Sequence, residues 1–255
     1  MMDLFFREWL EYFQWNAEEP DTLPWQAREN PSDAEKAAIG ASLATFQLGE
    51  NSEGSALRKF AAEYGERMGF GMLPDITVLF VREERNHSAL LARFMDKHGI
   101  PAKASDWTDA VFRMIRRPFG FEVSISVLIT AEIIGLVYYR ALREATGSRL
   151  LRAICNKILE DEKAHLEYES ALIRFAQSTR GPLKRAAWKL GHRILFAGTA
   201  VVVFREHRRV LLRGGLPFIE FFDACWKEFH RLFPAAVSPR ESKAGAGLQG
   251  AAWRS

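Results

Sequence analysis

The sequence predicts an all-α protein, a four-helix bundle with additional helices at its N- and C-terminal ends. Three observations predict it. Apolar residues recur at alternating spacings of three and four along several long stretches, the signature of a helix with one buried face. Helix starts and stops punctuate the chain, with Ser32 ahead of Glu35, Gly99 ahead of Pro101, and Gly147 beside Ser148. Two Glu-x-x-His pairs, Glu84 with His87 and Glu162 with His165, each place a carboxylate and an imidazole on one helix face.

Composition supports a soluble, well-packed chain. Of 255 residues, 48% are apolar, enough for a substantial core, and 26% are charged. A net charge of +3 requires no polyanionic partner. The two cysteines, Cys155 and Cys225, form no Cys-x-x-Cys, so neither a disulfide framework nor a thiolate metal site is expected. With no basic n-region or apolar h-region at the N-terminus, a reducing cytoplasmic location is the expectation.

In chain order, residues 3–15 read as a short accessory helix with Phe5, Trp9, Tyr12 and Phe13 on its apolar stripe, and 16–30 as a loop. Ser32 and Glu35 form a capping box that opens a long helix ending near Gly69. Its seam of Leu43, Phe46, Glu50, Glu53, Leu57 and Phe60 carries two acids, which need a compensating cation in an apolar setting. Asp75 is read as the cap of the next helix, which runs to His98 with Phe80, Glu84, His87, Leu91 and Phe94 facing inward. A long crossover follows, with a helix over DWTDAVFRMIRR lying across the bundle.

The third bundle helix spans Glu122–Thr146, with Ile125, Leu128, Glu132, Gly135, Tyr139 and Leu142 on its seam. Its apolar run 123–142 approaches the ~20 residues of a membrane span, but Glu132 at its centre argues for a buried bundle helix. The fourth starts at Ser148 and runs to about Gln177, with Ile158, Glu162, His165 and Glu169 on its seam. Two accessory helices, 183–212 and 217–232, precede a small, polar and flexible tail, 238–255. The segment 194–204 is apolar but too short to span. All of 1–237 reads as one domain, with the metal-binding bundle at about 33–177.

Each Glu-x-x-His follows, by about thirty residues, a seam glutamate on the preceding helix: Glu53 (or Glu50) for the first pair and Glu132 for the second. A glutamate from each of two helices plus Glu-x-x-His from each of the other two is the ligand pattern of a dinuclear site inside such a bundle. Four carboxylates and two neutral imidazoles balance two divalent cations, and a hard oxygen-rich set suits iron or manganese. Counting from the turn glycines, Glu132 lies fifteen residues before Gly147, Glu53 sixteen before Gly69, and Glu50 nineteen before it. If the hairpins are alike, Glu53 is the ligand, and Glu50 lines the pocket or serves as an alternate ligand. Asp161 and Glu83, each directly before a ligand glutamate, are candidates to hold the histidines' outer N–H groups. Gly135 and Tyr139, one and two turns from Glu132, are pocket candidates.

Glu53, Glu84-Arg85-Asn86-His87, Glu132 and Asp161-Glu162-Lys163-Ala164-His165 resemble the ferritin-like di-iron carboxylate superfamily. That group includes rubrerythrins, the small subunit of ribonucleotide reductase and bacterial di-iron monooxygenases. The resemblance covers about residues 33–177, and the first pair departs from it, with Glu83 where the second has Asp161. It implies a ferritin-like bundle, two iron ions, an external electron donor, and activation of dioxygen or peroxide against an unidentified substrate, with a homodimer conceivable. Two other readings stand beside it. One is ferritin-like iron oxidation and storage or peroxide detoxification. The other is an RNA- or membrane-surface-binding module with a structural metal, suggested by the basic stretch 180–213, in which Glu206 is the only acid.

Overall fold

A computed structural model describes residues 2–51, 54–105 and 120–234. Among these the regular structure is helical throughout: α1 (Met2–Glu18), α2 (Asp33–Glu50), α3 (Ser55–Met68), α4 (Leu73–His98), α5 (Phe121–Ala145), α6 (Arg149–Ser178), α7 (Pro182–Arg213) and α8 (Phe218–Leu232). The expected crossover helix within 106–119 and the expected tail 238–255 lie outside the described residues.

α5 is the central element. Its almost uninterrupted apolar run has no solvent face to supply, and residues from Phe121 to Ala145 are buried on nearly every side. It packs most extensively against α6, with α7 and α8 on its other flanks. The turn between α5 and α6 is only Thr146–Ser148, so the two helices run antiparallel. Ser148 caps α6, its Oγ accepting from Leu151 N at 3.0 Å. Two acids from the earlier chain pin this turn. Glu29 accepts from Arg149 N at 2.8 Å and Leu150 N at 3.0 Å, while Glu35 accepts from Thr146 Oγ1 at 2.5 Å and Gly147 N at 3.0 Å.

α4 packs on α2 and α6, and α1 lies along α4. The aromatic stripe of α1 forms the outer wall there, with Phe13 5.7 Å from Tyr168 and Phe6 4.8 Å from Phe70 between ring centroids. Gln47 and Ser88 exchange two 2.9 Å hydrogen bonds that fix α2 on α4. Buried side chains from every helix join one core.

Three local expectations are corrected. The helix opened by Ser32 does not continue to Gly69. It ends at Glu50, and the chain re-enters a helix at Ser55 through Gly54, whose φ is +61°. A Cβ at Gly54 would lie 2.5 Å from Val81 Cγ1, so only glycine permits this break to sit against α4. Asp75 is not the cap of α4: the helix begins two residues earlier, with Pro74 in its first turn and Met72 at the cap position. The capping box is half made. Ser32 Oγ accepts from Glu35 N at 3.2 Å, but the Glu35 carboxylate is spent on the α5–α6 turn instead.

The apolar stretch 123–142 is inside α5, whose most apolar window is 78% buried, as expected of a core helix. The stretch 194–204 is different. It is the middle of the 32-residue α7, which is long and apolar enough to cross a bilayer by length and composition, and whose window is only 17% buried.

Candidate metal centre

Where α4 and α6 cross, both Glu-x-x-His pairs face one interior space. The helical spacing of three brings Glu84 and His87 onto one face of α4, and Glu162 and His165 onto one face of α6. Their atoms interleave. His165 Nδ1 lies 3.2 Å from Glu84 Oε1 and 3.9 Å from Glu162 Oε2, and His87 Nδ1 lies 3.6 Å from both Glu84 Oε1 and Glu162 Oε1. Glu50 reaches the cluster from α2 and Glu132 from α5.

Ligand-type atoms of Glu50, Glu84, His87 and Glu162 lie within 4.8 Å of one another, and so do those of Glu84, Glu132 and His165. Glu84 belongs to both groups. The structure thus brings together Glu84, His87, Glu132, Glu162 and His165, five of the residues singled out by spacing, with Glu50 completing the set. Glu53 lies outside the described residues. The residue count that separated it from Glu50 assumed a continuous helix to Gly69, and the break at Gly54 removes that assumption.

The interior is rich in ionisable groups and largely closed to solvent. His87 and His165 are fully buried, Glu162 is 2% exposed and Glu132 6%. Glu84 Oε1, both Glu132 oxygens, Glu162 Oε2 and the Nδ1 atoms of both histidines are buried with no hydrogen-bond partner. Such groups are hydrogen-bonded in nearly all folded proteins, and each unpaired buried charge costs several kcal/mol.

Protonation responds accordingly. Burial, then the charge of Glu169, pushes Glu132 well above the ordinary carboxylate range. Burial, then Glu84 and Glu132, does the same for Glu162. Burial and Glu84 push Glu50 up to about 8. Glu84 moves the other way: burial raises it, but His165 and His87 outweigh that and hold it low. A carboxylate cluster of this kind keeps protons or takes up cations. The orphaned oxygens and inward-facing Nδ1 atoms fit a pair of divalent metal ions of the oxygen-preferring kind.

The outward nitrogens of the histidines are held crosswise. Asp161 on α6 pairs with His87 Nε2 on α4 at 3.0 Å, and Glu83 on α4 lies 3.4 Å from His165 Nε2 on α6. Asp161 thus hydrogen-bonds the histidine of the opposite helix and leaves its Nδ1 facing the cluster, while Glu83 stands within ion-pair reach of His165 Nε2, an atom that makes no hydrogen bond. Burial alone would raise Asp161, but the hydrogen bonds from His87 and Lys157 hold it below the usual carboxylate range. The side-chain amide of Asn16, on α1, donates to Glu83 and, at 3.2 Å, to Asp161 Oδ1. Lys157 Nζ reaches Asp161 Oδ1 at 2.8 Å, Asn16 Oδ1 at 3.0 Å and Glu19 at 2.9 Å. Phe80 and Phe13 pack on the His165 ring, with centroids at 4.6 and 5.9 Å.

On the other side of the cluster is an apolar cavity of about 150 Å³ between α2, α5 and α7. Glu50, Glu84, Glu132 and Glu162 form one wall, and Phe46, Leu128, Ile134 and Val203 are among its apolar lining. Gly135 and Tyr139 both line it. A Cβ at Gly135 would approach only Phe46, at 4.0 Å, and one at Gly49 would meet nothing within 4 Å. Tyr139 OH donates to Glu50 Oε1 at 2.7 Å, and burial followed by the Glu50 charge keeps the phenol protonated far above its ordinary range.

No family model, curated protein or solved structure matches the chain. Its chemistry is therefore read from its own residues.

Three contributors escape a reading by motif. Glu169 is fully buried beside Glu132, with both oxygens unpartnered and its carboxyl pushed well up by burial. Its spacing of four from His165 places it on the site-facing side of α6, so the signal was present in the seam. His207 lines the cavity and accepts or donates at Ser42 Oγ over 2.7 Å, as does Tyr138 OH over 2.8 Å. Asn16 carries no sequence signal, because its partners come from distant helices.

Proposed function

We propose that the chain is a dinuclear metal protein, with iron or manganese held by Glu50, Glu84, His87, Glu132, Glu162 and His165, and that it oxidises a small apolar substrate. In this reading α2, α4, α5 and α6 are the four helices of a ferritin-like bundle. The observation that carries it is the meeting of four carboxylates and two imidazole Nδ1 atoms in the interior, where atoms of Glu84, Glu132, Glu162, His87 and His165 are buried without a hydrogen-bond partner. Two divalent ions balance the four carboxylates and relieve that electrostatic cost.

When bound, the metal pair supplies reductive activation of dioxygen or peroxide, with electrons from an external donor. The chain's own residues do the rest. Asp161 and Glu83 hold the histidine rings in register. Tyr139 holds the Glu50 carboxylate through its hydroxyl proton. The apolar lining excludes water, and the missing side chains at Gly135 and Gly49 leave space against the carboxylate wall. A mostly apolar cavity of about 150 Å³ accommodates a benzene-sized molecule. Such a cavity suits an organic substrate better than hydrated iron, which favours substrate oxidation over iron storage.

Metal analysis tests the reading. Protein loaded anaerobically with ferrous iron and freed of excess should hold about two irons per chain, and should then consume dioxygen with a transient visible absorption. A chain that stays metal-free removes the basis of the proposal. Continued uptake far beyond two irons would show storage instead.

A further inference from the structure

α7 is apolar on two faces. One is buried against α5 and α2, with Phe196, Ala200, Val210 and Leu211 in the core. The other is in solvent: Leu183 is 82% exposed, Leu190 62%, Ile194 65% and Val201 47%. At about 100° per residue these four fall within an arc of roughly 40°, a stripe extending about 27 Å. The start of α8 widens it, since Phe218 and Ile219 lie beside Val201 and are also exposed. Large exposed aliphatic side chains in one line mark an interaction surface.

Charge says what covers it. α7 carries eight Lys and Arg against one acid, Glu206. On the helical wheel Lys189 and Arg193 flank the stripe on one side, and Lys184 and Arg205 on the other. An apolar ridge between two basic margins is the pattern of a helix lying in the headgroup region of an anionic bilayer. A second copy fits less well, because a two-fold contact would set these basic margins against their own equivalents. Nucleic acid fits less well too, because the centre of the face offers aliphatic groups where phosphates would lie.

We propose that α7, with the start of α8, docks the protein on the surface of a membrane containing anionic lipid. The helix lies on the bilayer and does not cross it. Its inner face is committed to the core, where His192 Nε2 meets Thr130 Oγ1 at 3.1 Å and His207 Nδ1 meets Ser42 Oγ at 2.7 Å. The same helix contributes Thr199, Val202, Val203 and His207 to the cavity against the carboxylates, so the docked face and the cavity wall are two sides of one element. The docking face stands independently of metal binding.

The test is co-sedimentation of the full chain with vesicles of phosphatidylcholine alone, or of phosphatidylcholine with phosphatidylglycerol. Binding is expected to the anionic vesicles and to weaken with added salt. The double variant Leu190→Glu/Ile194→Glu should bind at least about tenfold more weakly, with an unchanged thermal melt because both residues are exposed. Lys189→Glu/Arg193→Glu should lose the preference for anionic lipid. Failure to sediment with anionic vesicles at low salt would overturn the proposal, as would equal binding by the first variant. A wild-type dimer in light scattering that this variant dissociates would assign the face to a second copy. Retention on RNA that this variant leaves unchanged would assign the basic margins to nucleic acid.

Discussion

In one half of the site a 25-residue helix and a 30-residue helix meet across the turn Thr146–Ser148, and Glu132 projects from the middle of the first. In the other half α2 stops at Glu50 itself, and the 14-residue α3 intervenes before α4 begins. The same residue types are thus presented by unlike scaffolds. Glu132 is held by packing on all sides of α5. Glu50, at a helix end, is held by a hydrogen bond from Tyr139, which belongs to the opposite half. The crosswise pairs Asp161–His87 and Glu83–His165 extend the pattern. Neither half is self-sufficient, and the apparent duplication in the sequence is not a duplication of support.

The largest expected effect separates the halves by metal content. Glu50→Ala and Glu132→Ala should each lower bound iron from about two per chain to about one, measured by elemental analysis after anaerobic loading. Full retention by Glu50→Ala would move the ligand role to another residue and break the assignment of the first half.

Next come the two turn glycines. Gly54→Ala combines a left-handed φ with a 2.5 Å approach to Val81, and should cost about 2–4 kcal/mol in denaturant unfolding. Gly147→Ala has neither problem, since the added Cβ would meet only Glu35 Oε2, at 3.5 Å, and should stay within roughly 1 kcal/mol. Equal costs would mean that the break after Glu50 is no more constrained than the α5–α6 turn.

The smallest effect sharpens the crosswise support. Asp161→Asn should weaken metal affinity about 10- to 100-fold, read by competition with a chelator. Glu83→Gln should weaken it less, because its oxygen lies 3.4 Å from the ring nitrogen where that of Asp161 lies at 3.0 Å and is backed by Lys157. The reverse order would show that the α4 acid is the principal support.

Much of this was legible in the sequence because helical periodicity is local. Glu84 with His87, and Glu162 with His165, follow from a spacing of three. Ser148 and Gly99 mark helix ends by their own backbone chemistry, and both appear where expected. Asp161 and Glu83 were identified by adjacency alone. The break between Glu50 and Ser55 was not legible, because it depends on Gly54 lying against Val81, a residue on another helix, and without it the residue count that favoured Glu53 over Glu50 has no footing. Glu35 shows the same limit: its position three after Ser32 suggested a cap, but its carboxylate is used more than a hundred residues away. Asn16 and His207 gave no signal, since nothing in their own neighbourhoods ties them to α4, α5 or α6.

Asn16 has a further consequence. It meets Glu83 across 67 residues of chain and Asp161 across 145. Its amide can therefore span both acids only when the stretches of chain that carry them, α4 and α6, lie side by side. The N-terminal helix then acts as a latch, closing the outer side of the histidines only after α4 and α6 have come together. A change at Asn16 alone, far in sequence from every candidate ligand, would leave Glu83 and Asp161 without their common donor.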